Sequence, residues 1–132
     1  MIKLWKGKRT LQDAIDNPDK YFVFGDNDQR RGNGGQACIR PAKNSIGIRT
    51  KKHPSMDKGA FYTDNEFQEN VRKIDKDINK IEDIAKCNTI VYLAENRYGN
   101  GLARLKQKAT KTYEYLWHRL NVLYDKWNYK VF

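Results

Sequence analysis

Residues that build metal centres are scarce in this chain of 132 residues, which has 2 cysteines and 2 histidines. Cys38 and Cys87 lie far apart without CxxC spacing, and His53 and His118 do not complete a ligand set. A zinc cluster is therefore not expected, and the thiols read as reduced and structural. Long apolar runs are also missing. No stretch nears the roughly 20 apolar residues that cross a bilayer, and the opening MIKLWKGKRT lacks the apolar centre of a signal peptide. The expectation is a cytoplasmic protein with no membrane partner. Internal repeats, linkers and low-complexity tracts are absent as well.

Acidic residues are in deficit, 16 Asp and Glu against 26 Lys and Arg, for a formal charge of +10. The excess is uneven. Residues 40–58 carry six Lys/Arg against one acid and residues 97–130 carry eight against two, whereas residues 59–96 carry five against eight. Such a distribution attracts phosphates, on a nucleotide or along a nucleic acid. Lysine excess that only keeps a small protein soluble is the plain alternative.

What is present is a core. A hydrophobic fraction of 39%, with 3 Trp, 8 Tyr and 5 Phe, argues against disorder, and the length suits one domain over residues 1–132. Ile2 to Trp5 suits a first strand. Thr10 has the character of a helix N-cap, with Asp13 three positions on, Leu11, Ala14 and Ile15 as an apolar stripe, and Asn17-Pro18 as the stop. Tyr21 to Phe24 is aromatic and β-branched enough for a buried strand. Gln36 to Arg40 could start a helix that Pro41 ends.

Ser45 to Thr50 alternates as a strand, and Asp64 or Asn65 is placed to cap the longest helix. Along that helix Phe67, Val71, Ile74, Ile78, Ile81 and Ala85 recur at steps of three and four. Thr89 to Ala94 is the clearest buried strand. A last helix carries Tyr113, Leu116, Trp117, Leu120 and Leu123 on one face, and residues 127–132 are expected to close as an edge strand. Strands alternating with helices predict an α/β layered sheet, largely parallel at its centre.

Two glycine-rich loops each follow a predicted central strand and precede a predicted helix. The first is Gly25-Asp26-Asn27-Asp28 followed by Arg31-Gly32-Asn33-Gly34-Gly35-Gln36-Ala37; the second is Glu95 to Gly101. In a parallel sheet both project from the carboxyl edge, where open α/β sheets bind ligands. Their glycines let a ligand approach main-chain N–H groups, and the helix N-termini behind them favour a diphosphate. Neither loop is a nucleotide fingerprint: the first lacks the Gly-Lys-Ser/Thr ending of a P-loop, and GxGG is not GxGxxG. Each loop taken alone also reads as a helix cap with tight turns. Between them, Asn44, Gly47 and Thr50-Lys51-Lys52-His53-Pro54 form a polar segment in which Lys51 or Lys52 is a candidate phosphate clamp. Phe61 or Tyr62 is a candidate stacking face for a base, or else a buried aromatic under a solvated loop.

Gly32-x-Gly34-Gly35-x-Ala37 after a strand resembles the first ligand loop of macrodomains, the ADP-ribose-binding α/β family. Gly99-Asn100-Gly101-Leu102-Ala103-Arg104-Leu105 resembles that family's second phosphate loop. The likeness is closest to the small branch that removes ADP-ribose from acidic side chains or from nucleic acid, and it covers about two fifths of the chain. It implies a three-layer α/β/α sandwich around a mixed sheet with a parallel centre. It also implies that Asn27 lies at the distal ribose, that Gly34 and Gly35 approach the diphosphate, and that Gly99, Asn100, Gly101 and Leu102 wrap it from the other side. The branch's catalytic aspartate falls at Ala103, which neither takes a proton nor holds a hydroxyl. Asp26, Asp28 or Glu95 would have to supply a carboxylate instead.

The resulting expectation is a module that binds ADP-ribose or a related phosphorylated nucleotide and needs no cofactor or metal. It would bind through the loop N–H groups including those at Gly32, Gln36 and Ala37, through charge from Arg31, Lys51 and Lys52, and through Asp26, Asn27 and Asn44. It would either cleave ADP-ribose from a modified protein or nucleic acid, or sequester a nucleotide signal. The competing expectation is a basic nucleic-acid-binding or host-interacting regulator without catalysis.

Overall fold

The architecture follows from where four short apolar runs can pair. The computed structural model describes residues 1–95 and 98–128. Its strands are β1 (Ile2–Trp5), β2 (Tyr21–Asn27), β3 (Ser45–Lys51) and β4 (Val91–Ala94), in the spatial order β1-β4-β2-β3. Every pairing within the sheet is parallel, as in Ile2 with Val91, Tyr21 with Val91 and Phe22 with Ser45. The mixed sheet expected from the sequence is thus wholly parallel among the described residues. Trp127 belongs to a helix, and residues 129–132 of the expected edge strand lie outside the described residues.

Parallel strands require crossovers, and the helices supply them. Helix α1 (Leu11–Asp16) joins β1 to β2. It starts with the expected capping box: the Thr10 hydroxyl accepts from the Asp13 N–H at 3.1 Å, and the Asp13 carboxylate accepts from the Thr10 N–H at 2.7 Å. Helix α2 (Phe67–Ala85) joins β3 to β4, and its Ile74, Ile78, Ile81 and Ala85 are buried. Each isoleucine removed from water contributes roughly 1.5–3 kcal/mol, so this stripe fixes the helix against the sheet. A four-residue helix α3 (Leu105–Lys108) leads into α4 (Thr110–Trp127), which packs on α2 through Leu116, Leu120 and Leu123.

The alternation of β2 separates two apolar clusters. Val23 joins Ile46, Ile48, Leu93 and the α2 and α4 stripes on one face; Phe22 and Phe24 join Ala14, Ala37 and Ile39 on the other. The sheet is therefore covered on both sides, thickly by α2 and α4 and thinly by α1 and the 3₁₀ turn Gly35–Ile39.

Asp64 does not cap α2, which begins after a 3₁₀ turn at Asp64–Glu66. Its carboxylate instead accepts from the N–H groups of Lys111 and Thr112, at 3.2 and 3.4 Å, and so caps α4 from a different segment.

Candidate functional site

Strand β2 does not stop at Phe24 but runs on through Gly25, Asp26 and Asn27. Two charged or polar residues thereby sit buried at the carboxyl end of the sheet, beside Thr50 and Lys51 at the end of β3. Asp26 is neutralised where it stands. Its carboxylate accepts from Arg30 at 3.1 Å, from Arg40, and from the Asn27 N–H at 2.8 Å. A second buried acid, Asp77 on α2, binds Arg30 at 2.8 Å and takes both the backbone N–H and the guanidinium of Arg49, at 2.8 and 3.1 Å. The sequence reading missed Asp77, which sits at helical spacing among the apolar positions of α2.

These pairs shape the first glycine loop. Arg30 takes a left-handed backbone, φ 53, which a residue other than glycine adopts only when its surroundings hold it there. The Asn27 side chain closes the turn, donating to the Arg31 carbonyl at 2.8 Å and accepting from the Gln29 N–H at 3.0 Å. Arg40 donates to the carbonyls of Gly32, at 2.7 Å, and Arg31, at 3.1 Å. Peptide planarity then points the N–H groups of Asn33 and Gly32 away from Arg40. Gly32 has φ +91, and a Cβ there would come within 3.0 Å of Pro54, so the loop can lie against that proline only with glycine at this position.

The second loop meets the first. Leu102 Cδ1 lies over the first loop, 3.6 Å from where a Cβ on Gly34 or on Gly35 would stand. Gly99, with φ +88, lies so close to Leu105 that a Cβ would sit 3.0 Å from that side chain. Beneath the second loop Tyr98 is buried, and its hydroxyl accepts from the Ala94 N–H and donates to the Val23 carbonyl, both at 2.8 Å. The same carbonyl accepts from the buried Arg9, whose guanidinium lies 3.5 Å from the Gln36 side-chain oxygen. Gln36 in turn accepts from the Gly25 N–H at 2.9 Å, pinning the loop to β2.

The result is one cleft of about 650 Å³ at the carboxyl edge, within the range of small-molecule sites. Of the expected residues, Asp26, Asn27, Arg31, Gly32, Gly34, Gly35, Gln36, Ala37, Lys51, Gly99, Asn100, Gly101 and Leu102 all line it. Ala103 lines it too, as do Pro54, Ser55 and Met56, which the sequence reading did not place there.

Four expected residues do not reach the cleft. Asn44 precedes β3 at the opposite edge of the sheet, where its amide donates to the carbonyls of Ala14, Asn17 and Lys20 at 2.8–3.0 Å. Lys52 pairs with Glu66 at 2.9 Å, which holds the Glu66 carboxyl below its usual value. Asp28 binds the Tyr62 hydroxyl and the Lys73 ammonium, the latter at 2.8 Å. Glu95 is exposed and accepts from the Gly7 N–H at 3.1 Å. Phe61 and Tyr62 are both buried rather than open stacking faces, and burial, reinforced by Asp28, pushes the Tyr62 phenol far above its ordinary value. Helix dipoles add little, because the elements behind the loops are a 3₁₀ turn of five residues and a helix of four.

Two cations remain facing the cleft without an ion pair among the described residues, Arg31 and Lys51. Arg31 is exposed and donates to the Gln29 side chain at 2.6 Å. Lys51 is buried, with its ammonium 3.4 Å from the Met56 sulfur and 5.1 Å from the centre of the Phe61 ring. Burial, with the Arg104 guanidinium adding to it, holds that ammonium below the usual lysine value. The described residues contain no cluster of His, Cys, Asp and Glu able to hold a metal ion. The cleft therefore offers backbone donors, two cations and one neutralised carboxylate, a set suited to holding an anion.

No helix among the described residues is long and apolar enough to cross a membrane. No curated protein and no solved structure matches the chain. A family model spans residues 4–119, taking in both glycine loops, strands β2, β3 and β4 and the end of β1, and by that match the chain belongs to the DUF7831 family, a family of unknown function.

Proposed function

We propose that the cleft binds ADP-ribose or a related phosphorylated nucleotide between the two glycine loops, in the manner of a macrodomain. The observation that carries this reading is the meeting of two loops, from the ends of β2 and β4, over one cleft at the carboxyl edge of a parallel sheet. Backbone N–H groups of both loops would hold the diphosphate, with Lys51 and Arg31 supplying charge. The buried amine is the stronger contributor, since a charge pair out of water is screened less than an exposed one.

Binding without turnover is the form of the reading the residues favour. Ala103 stands where the resembling enzymes carry their acid, and Asp26, the carboxylate in the cleft, is held by two arginines. A general base needs an oxygen aimed at the proton it takes, and both Asp26 oxygens are engaged, Oδ1 by Arg40 and the Asn27 N–H, Oδ2 by Arg30. The module would thus sequester a nucleotide or recognise a modified target.

Calorimetric titration with ADP-ribose at low and moderate salt, on the wild type and Gly34→Glu, tests the reading. Gly34 has an ordinary φ of −82, and the nearest atom to a Cβ there is Leu102 Cδ1 at 3.6 Å, so the variant should fold. Salt-tolerant binding that the added carboxylate abolishes supports the proposal. Absence of heat from folded wild-type protein at either salt rejects it. The net charge of +10 favours the second reading, nucleic-acid binding, which predicts steeply salt-dependent affinity for DNA or RNA that Gly34→Glu barely changes.

A further inference from the structure

The Phe61 ring is shared by two lysines from distant parts of the chain. The Lys51 ammonium lies 5.1 Å from its centre and the Lys108 ammonium 5.3 Å. Both therefore sit within about one Debye length of each other, roughly 10 Å at 0.1 M salt. Lys51 faces the nucleotide cleft. Lys108 faces a second, shallower pocket of about 640 Å³, lined with Arg104 and Gln107 and sharing the wall Asn100-Gly101-Leu102 with the first.

The charges around this wall are not balanced locally. Neither Lys51, Arg104 nor Lys108 forms an ion pair among the described residues. Residues 98–113 contain Arg104, Lys106, Lys108 and Lys111 and no acid at all. By contrast, Arg30, Arg40, Arg49 and Lys73 each meet Asp26, Asp77 or Asp28. Like charges held close together raise each other's free energy, and an aromatic ring does not supply the missing counter-charge. An anion in the second pocket would.

We propose that this pocket is a second phosphate subsite, which takes a phosphate lying beyond the diphosphate of a nucleotide held in the cleft. The inference rests on the nucleotide reading of the first cleft. The phosphate could be a phosphomonoester on the nucleotide itself, or the phosphodiester of a strand to which that nucleotide is joined. Arg104 presents a planar fork and Lys108 a point charge, a combination suited to the several oxygens of one phosphate. The shared wall lets one continuous ligand occupy both pockets.

The test compares three probes: ADP-ribose, ADP-ribose carrying a 2′-phosphomonoester, and a short single-stranded oligonucleotide. Each is titrated over a salt series into wild type, Gly34→Glu and the double variant Arg104→Gln/Lys108→Gln, with circular dichroism to verify folding. If the phosphomonoester is the ligand, it binds several-fold tighter than ADP-ribose, and the double variant removes that advantage, weakening the phosphomonoester far more than ADP-ribose itself. If a strand is the ligand, the slope of log affinity against log salt for the oligonucleotide falls by about 0.7 for each phosphate that the double variant no longer neutralises. Unchanged affinities and slopes for both phosphate-rich probes in a folded double variant overturn the subsite, even where ADP-ribose binding that depends on Gly34 upholds the first cleft. Oligonucleotide binding that needs Arg104 and Lys108, with no ADP-ribose binding, upholds the phosphate pocket and rejects the nucleotide reading.

Discussion

Gly47 leaves the space that the Asp26 side chain fills: a Cβ at residue 47 would lie 2.4 Å from Asp26 Oδ2 and 2.7 Å from its Cβ. The two residues sit on paired strands, and Asp26 in turn anchors Arg30 and Arg40, which shape the first glycine loop. Gly47→Ala should therefore displace the carboxylate and disturb the loop together. Overpacking of this kind costs about 1–3 kcal/mol. Urea denaturation should show that loss with weaker nucleotide binding, while Gly59→Ala, whose Cβ would meet nothing within 4 Å, stays close to wild type.

Asn44 provides the opposite test. Its amide holds three carbonyls at the amino edge of the sheet, and seven residues of extended chain place it roughly 20 Å from Lys51. Asn44→Ala should lower stability by about 1–3 kcal/mol, because buried carbonyls lose their donor. ADP-ribose affinity of the folded variant should not move. A selective loss of affinity at unchanged stability would return Asn44 to the site.

The contrast between Asn44 and the glycine loops marks what the sequence reveals. The capping box of Thr10 and Asp13, the strand cores and the α2 stripe are written in residues a few positions apart, and they fold where the pattern puts them. The glycine loops are legible for the same reason. What the pattern hides is long-range pairing: Asp77 looks like a solvated helix position until Arg49 and Arg30, 28 and 47 residues away, are brought to it. The extension of β2 through Asp26 and Asn27 is hidden likewise, since a strand ending in polar residues is stable only once those arginines close over it. Asp64 misled because its acceptor role serves α4 and not the helix that follows it.

Tyr98 joins two strands that have stopped pairing. β2 and β4 are in register at Tyr21 with Val91 and Phe22 with Tyr92, and beyond that point the Tyr98 hydroxyl bridges Val23 to Ala94. Tyr98→Phe leaves the Ala94 N–H buried without this acceptor, whereas the Val23 carbonyl keeps Arg9. An unsatisfied buried donor costs about 1–3 kcal/mol. Denaturation should show a loss in that range, and hydrogen exchange at the Ala94 amide should accelerate more than at Leu93. Equal acceleration across β4 would mean that the bridge does not act locally.

Lys51 makes the cleft sensitive to alkali. Its ammonium is held below the ordinary lysine value of 10.5 by burial and by Arg104, so the unfolded chain binds this proton more tightly than the folded one. Between the lowered value and 10.5 the unfolded state carries more protons, and this residue's contribution to stability therefore rises with pH across that window. Ligand binding runs the other way. A phosphate beside Lys51 favours the charged amine, so affinity is highest where the free protein already holds that proton and falls as pH rises through the lowered value. Titration of ADP-ribose from neutral pH to about 10.5 should show this decline in the wild type, and a flatter curve in Lys51→Arg, whose guanidinium keeps its charge throughout. Lys51→Met should bind weakly at every pH. Parallel curves for wild type and Lys51→Arg would show that the amine does not touch the bound phosphate.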